Sequence, residues 1–264
     1  MRALTMNVQN DVGDPGRHAL INQELRRLAP DLVTLQEVCY PGVRDHLAEL
    51  IEGTGLAYST HQAEVVDVPP GLRTDGTAIA TRWPHRVVEV LEHQGDPHWW
   101  TLAVLVQLPE FGEQLFIAPT TPWRLDHEFA RERQAVEVTE IDARHRTAVP
   151  TVIAGDLNAT PESATIRYLS GLQSLDGRSV HYNDAWSIAG DGRPGYTWTT
   201  DNPLAAKEID TLIAQPNHHR RIDYIFTGSP HAHTDSRARI LSAEMVGTAP
   251  PLSDHYGLYA DIAL

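Results

Sequence analysis

The sequence predicts a mixed α/β fold, two α/β halves meeting in one domain with their sheets packed face to face. Three observations predict it. Apolar runs of strand length alternate with stripes at helical spacing in the first and last parts of the chain. Between residues 57 and 118, strand-like runs follow one another with no helix between them, which argues for antiparallel neighbours. Several of the apolar runs end in, or carry, an amide or a carboxylate, the way a sheet presents chemistry at its edge.

The elements are read in order as follows. Arg2–Val8 alternates as a strand. Ile21, Leu25 and Leu28 recur at helical spacing between Arg17 and Ala29, and Pro30 stops the helix. Asp31–Gln36 is a buried strand that delivers Glu37. Pro41–Ile51 repeats a helical stripe with Val43, Leu47, Leu50 and Ile51, closed by Gly53. Strands are expected at Ala57–Gln62, Gly76–Thr81, Arg86–Leu91, Trp100–Gln107 and Gln114–Ala118, with Trp99 and Trp100 read as core or sheet edge. Asp126–Arg144 is a charged helix. Thr151–Ala154 is a short buried strand, followed by Gly155, which is read as loosening the backbone. Thr160 is expected to cap a helix to Leu169, with Pro161 at its first position. A loop-rich stretch comes next, and strands return at Arg221–Thr227, Ala238–Val246 and Tyr256–Leu264.

Bulk properties narrow the function classes. The chain has 264 residues, 41% hydrophobic and 21% charged, as ordinary globular proteins do. No stretch is long and apolar enough to span a membrane, and the first residues lack the apolar core of a signal peptide. Cys39 is the single cysteine, so no intrachain disulfide and no Cys₂His₂ zinc site can form, and a cytoplasmic location is expected. The formal net charge is −14. No basic run exceeds a pair such as Arg220-Arg221, which argues against a tight grip on long duplex DNA and leaves room for a local basic groove.

Five polar positions carry the chemistry. They are Asn7 after Leu4-Thr5-Met6, Glu37 after Leu32–Gln36, Asp156 with Asn158 after Val152-Ile153, Asp223 within Arg221–Phe226, and Ser253-Asp254-His255 before the last strand. Asp156 and Asn158 are two apart, so an extended backbone points them to the same side. Each position has a bland reading: a turn for Asn7 and for Asp156/Asn158, a solvated strand end for Glu37, a structural histidine for His255. Asp223 is harder to dismiss, because a carboxylate among Ile222, Tyr224 and Ile225 needs a partner. Together they offer hard oxygen ligands suited to Mg²⁺ or Mn²⁺, an amide donor, and a histidine beside a carboxylate.

In these segments the chain resembles the endonuclease/exonuclease/phosphatase superfamily, the DNase-like phosphoesterases. The matching stretches are Thr5–Val8, Leu35–Val38, Gly76–Arg82, Gly155–Asn158, Arg221–Ile225 and Ser253–His255, which span nearly the whole chain. The resemblance implies a four-layer α-β-β-α sandwich over residues 1–264 as one domain. It implies Glu37 as the main metal ligand, Asn7 in or near the shell and Asp254 on the metal side. Asp156 would orient the attacking water and Asn158 would donate to the phosphate. His255 would act as general base or as a charged partner of the phosphate, oriented by Asp223.

One departure stands out. Thr121 occupies the position where the family's phosphate-binding histidine is expected, so Thr121 is taken as a substrate-binding position that is either vacant or reshaped. Trp123, Arg124 and His127 are candidates to fill it. Trp198 is read as a ring that stacks on substrate or as a buried loop anchor. His218-His219 beside Arg220-Arg221 is read as a solvated loop ahead of a phosphate site. The resulting expectation is a Mg²⁺-dependent phosphoesterase acting on a small phosphodiester or phosphomonoester more than on long duplex DNA. The alternatives are a binding protein that has lost activity and a nuclease with a hidden basic groove.

Overall fold

Strand alternation sorts the chain into layers. In β1 (Arg2–Asn7), Leu4 and Met6 point into a cluster with Ile21, Leu25 and Leu28 of α1 (Gly16–Leu28), whereas Ala3 points the other way, into a cluster shared with a second sheet. The computed structural model describes residues 1–42, 44–67, 75–93, 100–215, 217–232 and 237–264. After α1 come β2 (Leu32–Cys39), α2 (His46–Ile51), β3 (Tyr58–His61), β4 (Asp75–Thr81), β5 (His85–Glu92), β6 (Trp100–Leu108) and β7 (Gly112–Pro119). The second part holds α3 (Glu128–His145), β8 (Val149–Asp156), α4 (Ala164–Leu169), β9 (Tyr182–Asp184), α5 (Ala185–Ala189), β10 (Trp198–Thr199) and α6 (Ala206–Ile213). It closes with β11 (His219–Arg220), β12 (Asp223–Gly228), β13 (Arg239–Val246) and β14 (Gly257–Ala263).

Two six-stranded sheets result, in the orders β13-β14-β1-β2-β4-β3 and β5-β6-β7-β8-β12-β9, with β10-β11 as a separate two-stranded ribbon. The middle run of strands is antiparallel, as its lack of helices predicts. β1–β2 and β7–β8 are the parallel pairs, and each pair is linked through a helix. Leu32, Ile79, Val104, Phe116, Val152, Ile225 and Leu258 fill the space between the sheets. The helices α1 and α2 cover the outer face of one sheet, and α3 and α4 that of the other. The architecture is the α-β-β-α sandwich. Fully burying a side chain such as Phe116 contributes roughly 1.5–3 kcal/mol.

Local corrections have local causes. α2 begins only after Asp45, whose carboxylate accepts from the Ala48 N–H, and Val43 lies outside the described residues, as does Trp99. Thr160 does not cap α4. Its carbonyl accepts the Ser163 N–H at 2.9 Å in a turn, and the Ser163 hydroxyl caps the helix at the Ile166 N–H. Pro161 suits a turn as well as a helix start. Gly155 does not loosen the chain either: a Cβ there would sit 2.0 Å from the Pro119 carbonyl oxygen, so glycine permits the close approach of β7. The stretch read as loop-rich contains α5 and α6. Trp198, Ala205, Ile209 and Ile222 form a small apolar cluster beneath α6.

Candidate active site

The same alternation that fills the core delivers the polar groups. Along β8, Val152 and Ala154 face the other sheet, and Asp156 is next on that face. Along β12, Ile225 faces inward and Asp223 precedes it. The antiparallel register sets Asp223 directly opposite Asp156. Two carboxylates so placed repel each other. His255, in the turn before β14, relieves them. Its Nδ1 is 2.9 Å from Asp223 Oδ2, and one ligand-type atom from each of the three residues lies within 4.8 Å of the others. Burial lowers the basicity of His255, but Asp223 and Asp156 outweigh it, and its pKa is raised well above the usual 6.5. The two carboxylates thus favour the protonated ring. Burial, then the Asp223 charge, raises the Asp156 carboxyl above its ordinary range.

Glu37 reaches the same cavity through a bulge. Regular alternation would send Glu37 to the helix side with Leu35. Between Leu35 and Val38 the register against β4 slips by one residue, and Val38 rejoins Leu35 in the helix-side cluster. Glu37 takes up the slip with φ of +57°, a left-handed conformation that is strained for glutamate by roughly 1–3 kcal/mol. Beneath it the buried side chains of Thr5, Thr34 and Gln36 hydrogen-bond to one another and brace the strand end. Asn7 Nδ2 donates to Glu37 Oε1 at 3.1 Å and to Asp156 Oδ2 at 3.3 Å, joining the two sheets. Its Oδ1 accepts the Gln9 N–H at 3.0 Å. That network turns the NH₂ toward the carboxylates, so Asn7 aligns Glu37 and Asp156. Asn10 Nδ2 lies 3.3 Å from Glu37 Oε2.

Asp254 completes this side. Its Oδ1 accepts from the Ser253 hydroxyl and from the His255 N–H. Burial, then the Asp254 charge, pushes Glu37 up to about 7, and the same two causes raise Glu208. Neither Glu37 nor Asp254 makes an ion pair with arginine or lysine among the described residues. Carboxylate oxygens that face one another without a cation suit a hard divalent ion.

These groups meet in one cavity of ≈ 710 Å³. Glu37, Asp156, Asn158, Trp198, Asp254 and His255 line it, while Asn7 and Asp223 stand behind the wall. Asp156 and Asn158 are brought together by a turn and not by strand alternation. β8 ends at Asp156, Asn158 has φ of +47°, and its N–H is bonded to Asp156 Oδ1 at 3.0 Å. Asn158 Nδ2 donates to the Thr121 carbonyl at 3.1 Å.

Thr121 is not where the alignment led. The extended chain after β7 turns Thr120 to the cavity and Thr121 away from it. Thr121 lines a separate ≈ 10 Å³ space against α3, with its hydroxyl buried and unpartnered. Trp123 and Arg124 do line the large cavity, Arg124 being exposed and paired with Asp126. His127 precedes α3 and does not line it.

Trp198 packs on Ile209 and Ile222 as a buried anchor and also lines the cavity. The pair Arg220-Arg221 is buried, contrary to a solvated loop. Sequence reasoning also missed Asn10, Asp75, Glu208 and Arg220 as lining residues. It missed the clamps too. Arg17 is buried and bonds five carbonyl groups, those of Val8, Gln9, Asn10, Val12 and Leu252. Asn202 Nδ2 holds the Ser253 and Asp254 carbonyls at 2.9 Å each. A buried arginine next to a polar loop was the one signal that could have flagged Arg17.

A layered sandwich with an acidic cavity at the strand ends is the architecture of a known class of phosphoester hydrolases. The chain belongs to the Endonuclease/Exonuclease/phosphatase family, whose model matches residues 4–255. Members of this family are phosphoester hydrolases that generally use a divalent metal. Over 164 residues the chain is 26% identical to "Protein angel" of Drosophila melanogaster, a match that takes in 56% of this chain and 45% of that protein. The chain thus spans less than half the length of this curated relative. D. rerio TDP2, crystallised with a single strand DNA product, superposes with a TM-score of 0.74 at 18% identity, covering 100% of this chain and 99% of that one. The human Nocturnin catalytic domain with a bound sulfate anion gives 0.68 at 19% identity, covering 100% and 93%. Among the described residues no helix is long and apolar enough to cross a membrane.

Proposed function

We propose that residues 1–264 form one cytoplasmic, Mg²⁺- or Mn²⁺-dependent phosphoester hydrolase domain. One observation carries the reading: an acidic pair, Glu37 and Asp254, faces the same cavity as a charged histidine held by Asp223. Glu37 and Asp254 would hold the cation, which supplies charge neutralisation at phosphoryl oxygens and a more acidic water. Hydrolysis adds a water oxygen to phosphorus and breaks one P–O ester bond. Asp156, with its carboxyl raised by burial, is suited to orient that water and accept its proton. His255 is suited to the role of charged partner: its imidazolium stabilises negative charge on the phosphoryl or leaving oxygen. The Asn158 amide adds a donor at the same rim.

The substrate reading follows the cavity walls. Trp123, Trp198, Leu212, Ile213 and Ile222 give the cavity apolar lining beside its carboxylates. A small phosphoester with an apolar or aromatic substituent fits that mixed lining better than long duplex DNA, which the −14 charge disfavours. A single-stranded nucleic acid end is the second reading. Trp123 is half exposed at the cavity, where a base can stack, and D. rerio TDP2 was crystallised with such a product.

The test is a panel of phosphoesters, including a synthetic diester and a single-stranded oligonucleotide, assayed with Mg²⁺, Mn²⁺ and a chelator. Glu37→Gln keeps the shape and removes the charge, so it should weaken Mg²⁺ binding in calorimetry and lower turnover by about 10²-fold. Unchanged Mg²⁺ affinity would remove Glu37 from the metal site. No turnover on any phosphoester, with metal bound, would leave a binding protein of this fold.

A further inference from the structure

Among the described residues four arginines are buried, and three of them make several hydrogen bonds within the protein. Arg17 is enclosed by carbonyls. Arg131 bonds Glu128 and the carbonyls of Pro122, Arg124 and Leu125. Arg221 makes two bonds to Asp184, at 3.1 and 2.8 Å, and its guanidinium lies over the Tyr224 ring. Arg220 is the exception. It is 8% exposed and lines the large cavity. Among the described residues its guanidinium makes one hydrogen bond, from Nη2 to the Asn158 carbonyl at 2.8 Å, and no ion pair. Because Arg220 lines the cavity, a ligand there is within reach of its remaining N–H groups.

A buried cation with idle donors is costly unless a ligand uses them. Position is the second observation. Arg220 sits on β11, and its one bond ties it to the residue whose amide lines the cavity beside Asp156 and His255. A guanidinium presents its N–H groups as a planar fork that matches two oxygens of one phosphoryl group. After β7, Thr121 does not line this cavity and its hydroxyl is buried elsewhere, so it offers this spot no donor.

We propose that Arg220 is a substrate-binding residue that grips the phosphoryl oxygens in the cavity that Glu37 and Asp254 also line. The proposal rests on the phosphoester hydrolase reading for its catalytic part, while its anion-binding part stands alone. It assigns the anion-binding role to Arg220 ahead of Arg124, whose guanidinium is exposed and already bonded to Asp126.

The experiment uses the full chain with Mg²⁺ bound and reads two signals. Inorganic phosphate affinity is measured by calorimetry, and kcat and KM are measured on a synthetic diester, for wild type, Arg220→Lys, Arg220→Gln and Arg124→Gln. The expected result is a loss of phosphate affinity of about 10–100-fold in Arg220→Gln, with a higher KM and lower kcat. Arg220→Lys, which keeps the charge and loses the fork, should fall between it and wild type. Arg124→Gln, at an exposed residue already paired with Asp126, should lose less phosphate affinity than Arg220→Gln. Thermal melting checks that each variant folds. If Arg220→Gln does not fold, the Lys variant decides: phosphate affinity equal to wild type, with unchanged KM, overturns the proposal.

Phosphate affinity within twofold of wild type in Arg220→Gln also overturns it, and leaves the hydrolase reading intact if the diester is still turned over. If wild type turns over nothing but binds phosphate through Arg220, the hydrolase reading falls and the anion site stands. A wild type that neither binds phosphate nor turns over diester removes both.

Discussion

Among the described residues two triads bring ligand-type atoms of a histidine, a carboxylate and a third side chain within 4.8 Å of one another, and their chemistry is opposite. One is Asp156, Asp223 and His255; the other is Asp11, Cys39 and His46. In the first, His255 faces two buried carboxylates and is held protonated. In the second, His46 faces no buried carboxylate. Its Nδ1 accepts the Cys39 N–H at 3.0 Å, which leaves the ring hydrogen on Nε2, buried and unpartnered. Its ring lies 4.2 Å from that of His18, and burial followed by that neighbour lowers its pKa to about 4. Asp11 is exposed and turned toward Arg44. Burial, then Asp11, pushes the Cys39 thiol up to about 12. Ligand-type atoms at the same spacing thus make a charged pair in one place and a neutral packing unit in the other. What decides is how many carboxylates are buried with the histidine and which ring nitrogen the backbone already uses.

The largest test of that difference removes the charged histidine. His255→Ala leaves Asp156 and Asp223 facing each other without a counter-charge. Turnover should fall by about 10²–10³-fold, with a loss of stability of about 3–5 kcal/mol in denaturant unfolding. Asp223→Asn should cost nearly the same turnover, and the double mutant little more, because residues acting as one unit are not additive. Fully multiplicative losses would show two independent roles.

The pH dependence of stability should have opposite signs at the two sites. The folded pKa of His255 lies above its ordinary value of 6.5, so its contribution is complete below that value and fades as pH rises through the folded pKa. The folded pKa of His46, about 4, lies below 6.5. Between those values the unfolded chain binds the extra proton, so stability falls as pH drops through that window, by roughly 3 kcal/mol at most. Urea unfolding of wild type and His46→Asn at pH 7 and pH 4.5 isolates the effect. The advantage of wild type over the variant should shrink by about 1–3 kcal/mol at the lower pH, and a constant difference would mean that His46 is not held neutral.

The smallest effect belongs to Cys39. A thiol kept protonated is a poor nucleophile, so iodoacetamide should label it at least about tenfold more slowly at pH 7.5 than a free thiol. Cys39→Ala should leave turnover within about twofold. Rapid labelling would place a thiolate there and bring the two triads closer in kind.

Much of the site was legible because short-range rules carried it. β1, β8 and β12 alternate with a period of two, so Asn7, Asp156 and Asp223 fall on the face that carries Ala3, Ala154 and Ile225. An acid among Ile222, Tyr224 and Ile225 signals a buried partner whatever the fold, and His255 is that partner. Other features obey no local rule. Glu37 reaches the cavity only because a bulge reverses the phase of β2. Thr121 stands where a family pattern expects a ligand group, yet the exit from β7 turns Thr120 to the cavity instead.

By itself, then, the sequence determined the alternating strands, the amphipathic helices and the order of the acidic, amide and histidine positions, since each depends on neighbours a few residues away. The tertiary structure alone decided three matters. These are that Asp156 lies directly opposite Asp223, that both carboxylates favour the protonated form of His255, and that Arg221 pairs with Asp184 while Arg220 pairs with no carboxylate among the described residues. The reason is physical. Charge state and hydrogen-bond saturation depend on groups that lie 32 to 149 positions apart in the chain, as His255 and Asp223, or Asn7 and Asp156, do. Only the packing of two sheets brings them within reach.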